Sequence, residues 1–178
     1  MRESFNALFI IRYSLFMRIL GIDPGTSRIG FGVIETAGGL RLLNCGTIEA
    51  KEKDLAGKIK NFSGQFSKLL SETNPELAAI EKIYFAKNQK TALAVAQARG
   101  VLMSLLIDKK IPIVEYGPTE VKLNVTGYGL ADKAAVAKMV AAILKTKINE
   151  KYDDAVDAIA IAITAAGNHL LTSRKTDI

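Results

Sequence analysis

Four acidic residues stand where an acid is out of keeping with its neighbours: Asp23, Glu81, Asp154 and Asp157. Asp23 closes the apolar stretch Leu20-Gly21-Ile22 and is followed at once by Pro24-Gly25-Thr26, so a strand presents it just before a turn, at a sheet edge. An aspartate in such a turn also has the plainer task of hydrogen-bonding its own backbone. Glu81 ends the run Leu77-Ala78-Ala79-Ile80. A carboxylate there must be solvated, bound to a cation, or paired with Lys82 or Lys87, because an unpaired buried charge is costly. Asp154 and Asp157 open the segment Ala158-Ile159-Ala160-Ile161-Ala162-Ile163, which is apolar nearly all round and therefore a buried helix. Residues three apart share a helix face, and both acids fall near the N-terminus, where the macrodipole favours negative charge with or without chemistry. Asp153, four before Asp157, shares a face with it too.

Singly, each acid has a structural explanation; jointly they read as one site. Hard oxygen donors with no neighbouring histidine or cysteine suit Mg2+ or Mn2+. Two such ions about 3.5–4 Å apart activate a water and stabilise the departing oxygen in phosphodiester hydrolysis. Triad chemistry lacks its members: His169, the single histidine, falls after the predicted last helix, and the single cysteine, Cys45, lies in a strand.

The elements that must hold these acids follow from hydrophobic period and turn signals. Strands are predicted over 18–23, 29–35 and 40–50 as an antiparallel meander, then over 77–83 and 111–116. Leu55, Ile59, Phe62, Phe66, Leu69 and Leu70 recur at helical spacing up to Asn74-Pro75, where proline disfavours continuation. A second helix spans 91–107 with Gly100 as its one breaker. Pro118 opens a short third helix before the loop Gly127-Tyr128-Gly129. Asp132 caps a fourth, carrying Val136, Met139, Val140, Ile143 and Leu144, and a fifth runs from Asp153 to about Ala166. This succession predicts an α/β domain, a mixed five-stranded sheet with helices on its faces.

The 178 residues suffice for one such domain, taken as 17–178, with 1–16 as an N-terminal extension. Arg12 interrupts the apolar part of that extension and no cleavage site follows, so it does not read as a signal peptide; Met17 is an alternative start. Although 49% of residues are hydrophobic, none of the runs reaches the roughly 18 apolar residues of a membrane span, which predicts a soluble protein without a membrane partner. Lys and Arg exceed Asp and Glu by 24 to 18, a balance that favours polyanions but also fits an ordinary basic surface. One cysteine excludes a disulfide framework and points to a reducing, cytoplasmic compartment.

Five segments, Gly21-Ile22-Asp23-Pro24-Gly25, Ala79-Ile80-Glu81, Ala86-Lys87-Asn88, Gln97-Ala98-Arg99-Gly100 and Asp154-Ala155-Val156-Asp157-Ala158, occur in the order and spacing of the RuvC family of bacterial Holliday-junction resolvases. The likeness runs from Met17 to about Thr164. It implies a ribonuclease-H-like fold, a homodimer, dependence on Mg2+ with two ions per site and Mn2+ able to substitute, and association with a branch-migration helicase complex. It also implies paired symmetric nicks across a four-way DNA junction that leave 5′-phosphate and 3′-hydroxyl ends. Carried over by position, Asp23, Glu81, Asp154 and Asp157 resemble the family's catalytic carboxylates, which selects Asp154 over Asp153. One ion would then rest on Asp23 and Asp157 and the other mainly on Asp23 and Glu81. Tyr84 falls at the family's aromatic position three beyond the glutamate, suited to stacking on an unpaired base, though a core or surface aromatic reads the same. Lys122 and Lys133 match basic positions near the scissile phosphate. With Lys87 and Lys90 they would grip phosphates, each lowering the slope of log affinity against log salt by about 0.9. Ala135 departs from the family, where glutamine is common, and the extension before Met17 has no counterpart. Three other readings remain: a nuclease of the same fold acting on RNA or duplex DNA, a catalytically silent junction-binding module, and an actin-like nucleotide-binding protein. The last requires a second acid-glycine loop and a longer chain.

Overall fold

Alternation along β1 (Arg18–Pro24) sorts its side chains between two cores. Ile19 joins one hydrophobic cluster while Leu20 and Ile22 join the other, as a two-residue period on a strand buried on both faces requires. The computed structural model describes residues 16–83, 89–147 and 153–173. β2 (Arg28–Glu35) and β3 (Arg41–Glu49) follow β1 antiparallel, and β4 (Leu77–Glu81) and β5 (Ile113–Tyr116) pair parallel on its other side, in the order β3-β2-β1-β4-β5.

Two helices cover one face. α1 (Leu55–Thr73) begins where the Asp54 carboxylate accepts a hydrogen bond from the Gly57 N–H at 2.8 Å, and it ends at Asn74 with φ 44°. Its Phe62, Phe66, Leu69 and Leu70 pack with Ala98, Leu102 and Leu106 of α2 (Gln89–Asp108) beneath Leu20, Ile22 and Ile80. On the opposite face α5 (Asp153–Ser173) lies directly against the sheet, and α3 (Pro118–Thr126) and α4 (Lys133–Leu144) pack on α5 through Val121, Val125, Val136 and Val140. α3 starts with Pro118 and closes at Gly127, φ 78°; α4 is capped by Asp132, whose carboxylate accepts from the Ala135 N–H at 2.7 Å.

Three glycines bring α5 unusually close to the sheet. A Cβ on Gly21 would stand 1.9 Å from the Ala158 carbonyl oxygen, one on Gly30 2.0 Å from that of Asp154, and one on Gly32 2.9 Å from the Ile159 Cα. Glycine in a strand gives up packing and loses more chain entropy, and here that loss is exchanged for backbone-to-backbone approach. The alanines at 155, 158, 160 and 162, all buried, complete the close contact.

The expected elements are present with altered ends. β4 stops at Glu81 rather than at 83, because its partner β5 ends at Tyr116 and Pro118 turns the chain into α3; the Lys82 N–H makes a final bond to the Tyr116 carbonyl. β5 begins at Ile113, not 111. α5 continues to Ser173 rather than ending near Ala166, since Gly167 weakens a helix without breaking it, and His169 therefore lies inside this helix and not after it. Of the extension before Met17, only Phe16 falls among the described residues, and it is exposed. No described helix is long and apolar enough to cross a membrane.

Candidate active site

Parallel pairing aligns Ile22 of β1 with Ile80 of β4, so the next residues, Asp23 and Glu81, stand side by side at the carboxyl ends of adjacent strands. Both side chains point to the α5 face, being two residues beyond Gly21 and Ala79. On the other side of Asp23 its antiparallel partner is Gly30, the glycine on which the Asp154 backbone rests. The missing side chain at 30 thus sets the first turn of α5 beside Asp23, and one helical turn brings Asp157 to the same place.

Crowding these acids together changes their proton affinities. Burial is the largest reason that the Asp23 carboxyl rises from 3.8 to about 7, and the charges of Glu81, Asp157 and Asp154 add to it. In its protonated form Asp23 donates to Glu81, a hydrogen bond that favours the charged form of Glu81. Glu81 is nonetheless raised, first by burial and then by Asp157. Asp157 is raised by burial, against the lowering effect of the Lys133 ammonium.

Two cations reach the cluster. Arg28 Nε lies 3.4 Å from Asp154 Oδ2, and Lys133 Nζ lies 3.3 Å from Asp157 Oδ2 and 2.6 Å from Asp153 Oδ2. Among the described residues, no three of the acids are preset around a common metal position. Their chemistry fits one all the same: the donors are hard carboxylate oxygens, and burial together with the neighbouring negative charges makes the ionised Asp23 costly without a cation.

The four predicted carboxylates are therefore brought together. Asp153 stands at the rim of the group: its side chain is 62% exposed, against 31% for Asp154 and 34% for Asp157, and it faces Lys133 while its charge still reaches Asp157. Of the predicted lysines, Lys133 is at the cluster, whereas half-buried Lys122 on α3 makes no ion pair with it. Tyr84, Lys87 and the Lys90 side chain lie outside the described residues. Arg28 was not anticipated from the sequence. The signal was present, because an antiparallel turn as short as Pro24-Gly25-Thr26-Ser27 must return the start of β2 to the end of β1.

Hard donors at the carboxyl ends of two parallel strands, facing the N-terminus of a helix laid on a mixed 3-2-1-4-5 sheet, mark a metal-dependent nuclease of the ribonuclease-H-like class. Residues 19–165 match the family profile described as crossover junction endodeoxyribonuclease RuvC. RuvC of Roseiflexus sp. (strain RS-1) is 43% identical over 82% of this chain and 88% of its own, and that of Petrotoga mobilis is 43% identical over 82% and 91%. Among solved structures, T. thermophilus RuvC in complex with Holliday junction substrate superposes with a TM-score of 0.80 at 31% identity, covering 88% of this chain and 97% of that one. The yeast mitochondrial Holliday junction resolvase Ydc2, at 18% identity and a TM-score of 0.64, shares the fold. The chain belongs to the RuvC family of crossover junction endodeoxyribonucleases, hydrolases that act on DNA with divalent metal.

Proposed function

We propose that Asp23, Glu81, Asp154 and Asp157 are the metal-holding catalytic set of a resolvase that cuts four-way DNA junctions by paired symmetric nicks, leaving 5′-phosphate and 3′-hydroxyl ends. The observation that carries this is the convergence of the four acids, with Asp23 and Glu81 side by side at the ends of β1 and β4 and the first turn of α5 set against Gly30 beside them, a concentration of negative charge that a divalent cation relieves. Mg2+ is the expected metal, two ions per site, with Mn2+ able to substitute; when bound it activates water and stabilises the leaving oxygen. Asp23, central in the row, would contribute ligands to the metal together with its flanking neighbours Glu81 and Asp157. Lys133 and Arg28, paired with Asp157 and Asp154, supply positive charge beside the acids where a phosphate would approach. Tyr84, Lys87, Lys90 and Lys122 complete the DNA contacts.

T. thermophilus RuvC has been captured on a Holliday junction, and 31% identity over nearly its whole length supports the same substrate here. A homodimer matches the junction's two-fold symmetry. It is supported by Leu93, Ala96, Gly100, Ser104 and Ile107, which form an exposed stripe at 3-4-4-3 spacing along α2, with Leu93 62% and Ile107 63% accessible. Residues 17–178 act as a single nuclease domain, in the cytoplasm, in association with a branch-migration helicase.

The test offers a synthetic four-way junction, a matched duplex and a structured RNA to the protein side by side with Mg2+, mapping both strands. Symmetric cuts in the junction alone, lost in Asp23→Asn, are expected. Preferential cutting of duplex or RNA, or an Asp23→Asn variant as fast as wild type, contradicts the reading.

A further inference from the structure

We propose that Asp153 positions Lys133, holding its ammonium beside Asp157 at the edge of the carboxylate cluster where the scissile phosphate must approach. The inference rests on the nuclease reading above and gives a role to the acid that the metal set leaves out. Lys133 Nζ is 2.6 Å from Asp153 Oδ2 and 3.3 Å from Asp157 Oδ2, so the ammonium bridges two acids one helical turn apart on α5. The root of the lysine is already fixed. It is the first residue of α4, next to the capping Asp132, and α4 is locked to α5 through the core containing Val136, Val140 and Val156.

The rest of the side chain is not fixed by packing. It is 63% exposed, and a lysine stem free to rotate samples many rotamers. Asp157 alone is a poor tether, because it belongs to the carboxylate cluster and its charge is spent on whatever cation that cluster holds. Asp153 stands at the exposed rim of the cluster, 62% exposed and with Lys133 as its ion-pair partner, so its charge remains available to the lysine. Solvent screens such a pair, and its effect is correspondingly moderate. The competing explanation is that Asp153 merely places negative charge at the N-terminus of α5; that role makes no reference to Lys133.

A double-mutant cycle separates the two, using single-turnover cleavage of a four-way junction by the full-length protein in Mg2+. Asp153→Ala is expected to slow cleavage about fivefold in the wild-type background. It should change the rate less than about twofold when Lys133 is already alanine, and Asp153→Glu should retain most of the activity. An equal loss in both backgrounds overturns the proposal in favour of the helix-terminal role. A second readout needs neither metal nor cleavage: mass-spectrometric measurement of Lys133 acylation in EDTA. Asp153→Ala should accelerate labelling of Lys133 relative to Lys138, and an unchanged labelling rate overturns the positioning even if cleavage falls. Faster labelling in a protein that leaves junctions intact upholds the tether while removing the nuclease reading beneath it.

Discussion

Asp23→Asn should make the metal-free protein more stable at pH 8 while abolishing cleavage. The folded chain holds the Asp23 carboxyl at about 7, whereas the same group in an unfolded chain titrates near 3.8. Because the folded value is the higher one, the folded state binds more protons between those limits. The associated stability is fully present below about pH 4 and is lost as pH rises through 7. The elevation from 3.8 to about 7 corresponds to about 4 kcal/mol at 1.36 kcal/mol per pH unit. Asparagine removes the charge but still has to be buried, and it can continue to donate to Glu81, so the net gain expected at pH 8 is about 2–3 kcal/mol. For a chain of this size that is on the order of 5–10 °C in Tm. The assay is urea unfolding in EDTA at pH 5 and pH 8, repeated with Mg2+. Wild type and variant should be nearly equal at pH 5 and separate at pH 8. Mg2+ should then stabilise wild type by mass action and leave the variant almost unchanged. A variant no more stable than wild type at pH 8, or a difference that ignores pH, would refute the picture of a proton-retaining acid cluster awaiting a cation.

Three further outcomes follow from the same geometry. Gly32→Ala, whose Cβ meets the Ile159 backbone at 2.9 Å, should cost about 3 kcal/mol in urea unfolding and lower cleavage by lifting α5 off the sheet, though no carboxylate is altered. Arg28→Ala should change stability by less than about 1 kcal/mol, since the pair with Asp154 is largely exposed, yet lower the Mg2+ concentration at half-maximal cleavage about two- to fivefold by removing a competing cation. Gly100→Arg, at a site where a Cβ meets nothing within 4 Å, should leave the fold's Tm within a few degrees and shift sedimentation from dimer to monomer; a persistent dimer rules out the α2 stripe as the interface.

Local chemistry made much of this protein legible from its residues. Leu20 to Asp23 and Leu77 to Glu81 each end an apolar strand in an acid, and Asp154-Ala155-Val156-Asp157 heads a segment too apolar to be anything but a buried helix. Those features are written in periods of two and 3.6, so a single sequence shows them. The likeness to one nuclease family then chose Asp154 over Asp153, a choice that local pattern alone leaves open because both acids open the same helix. What the chain does not display locally is which strands become neighbours. The parallel pairing of β1 with β4 joins residues more than fifty positions apart and sets Asp23 beside Glu81. Gly21, Gly30 and Gly32 look like weak spots in strands until α5 is laid across them; only then do they become the reason that two helical acids reach two strand acids. Lys133 rather than Lys122 meets the cluster for the same kind of reason, because a long flexible side chain goes where the helix beneath it has been packed. Sequence by itself determined the ligand chemistry, since donor type is a property of each residue. Tertiary structure decided which of these acids become neighbours, because strand pairing and the seating of α5 on Gly21, Gly30 and Gly32 depend on packing that no local pattern displays.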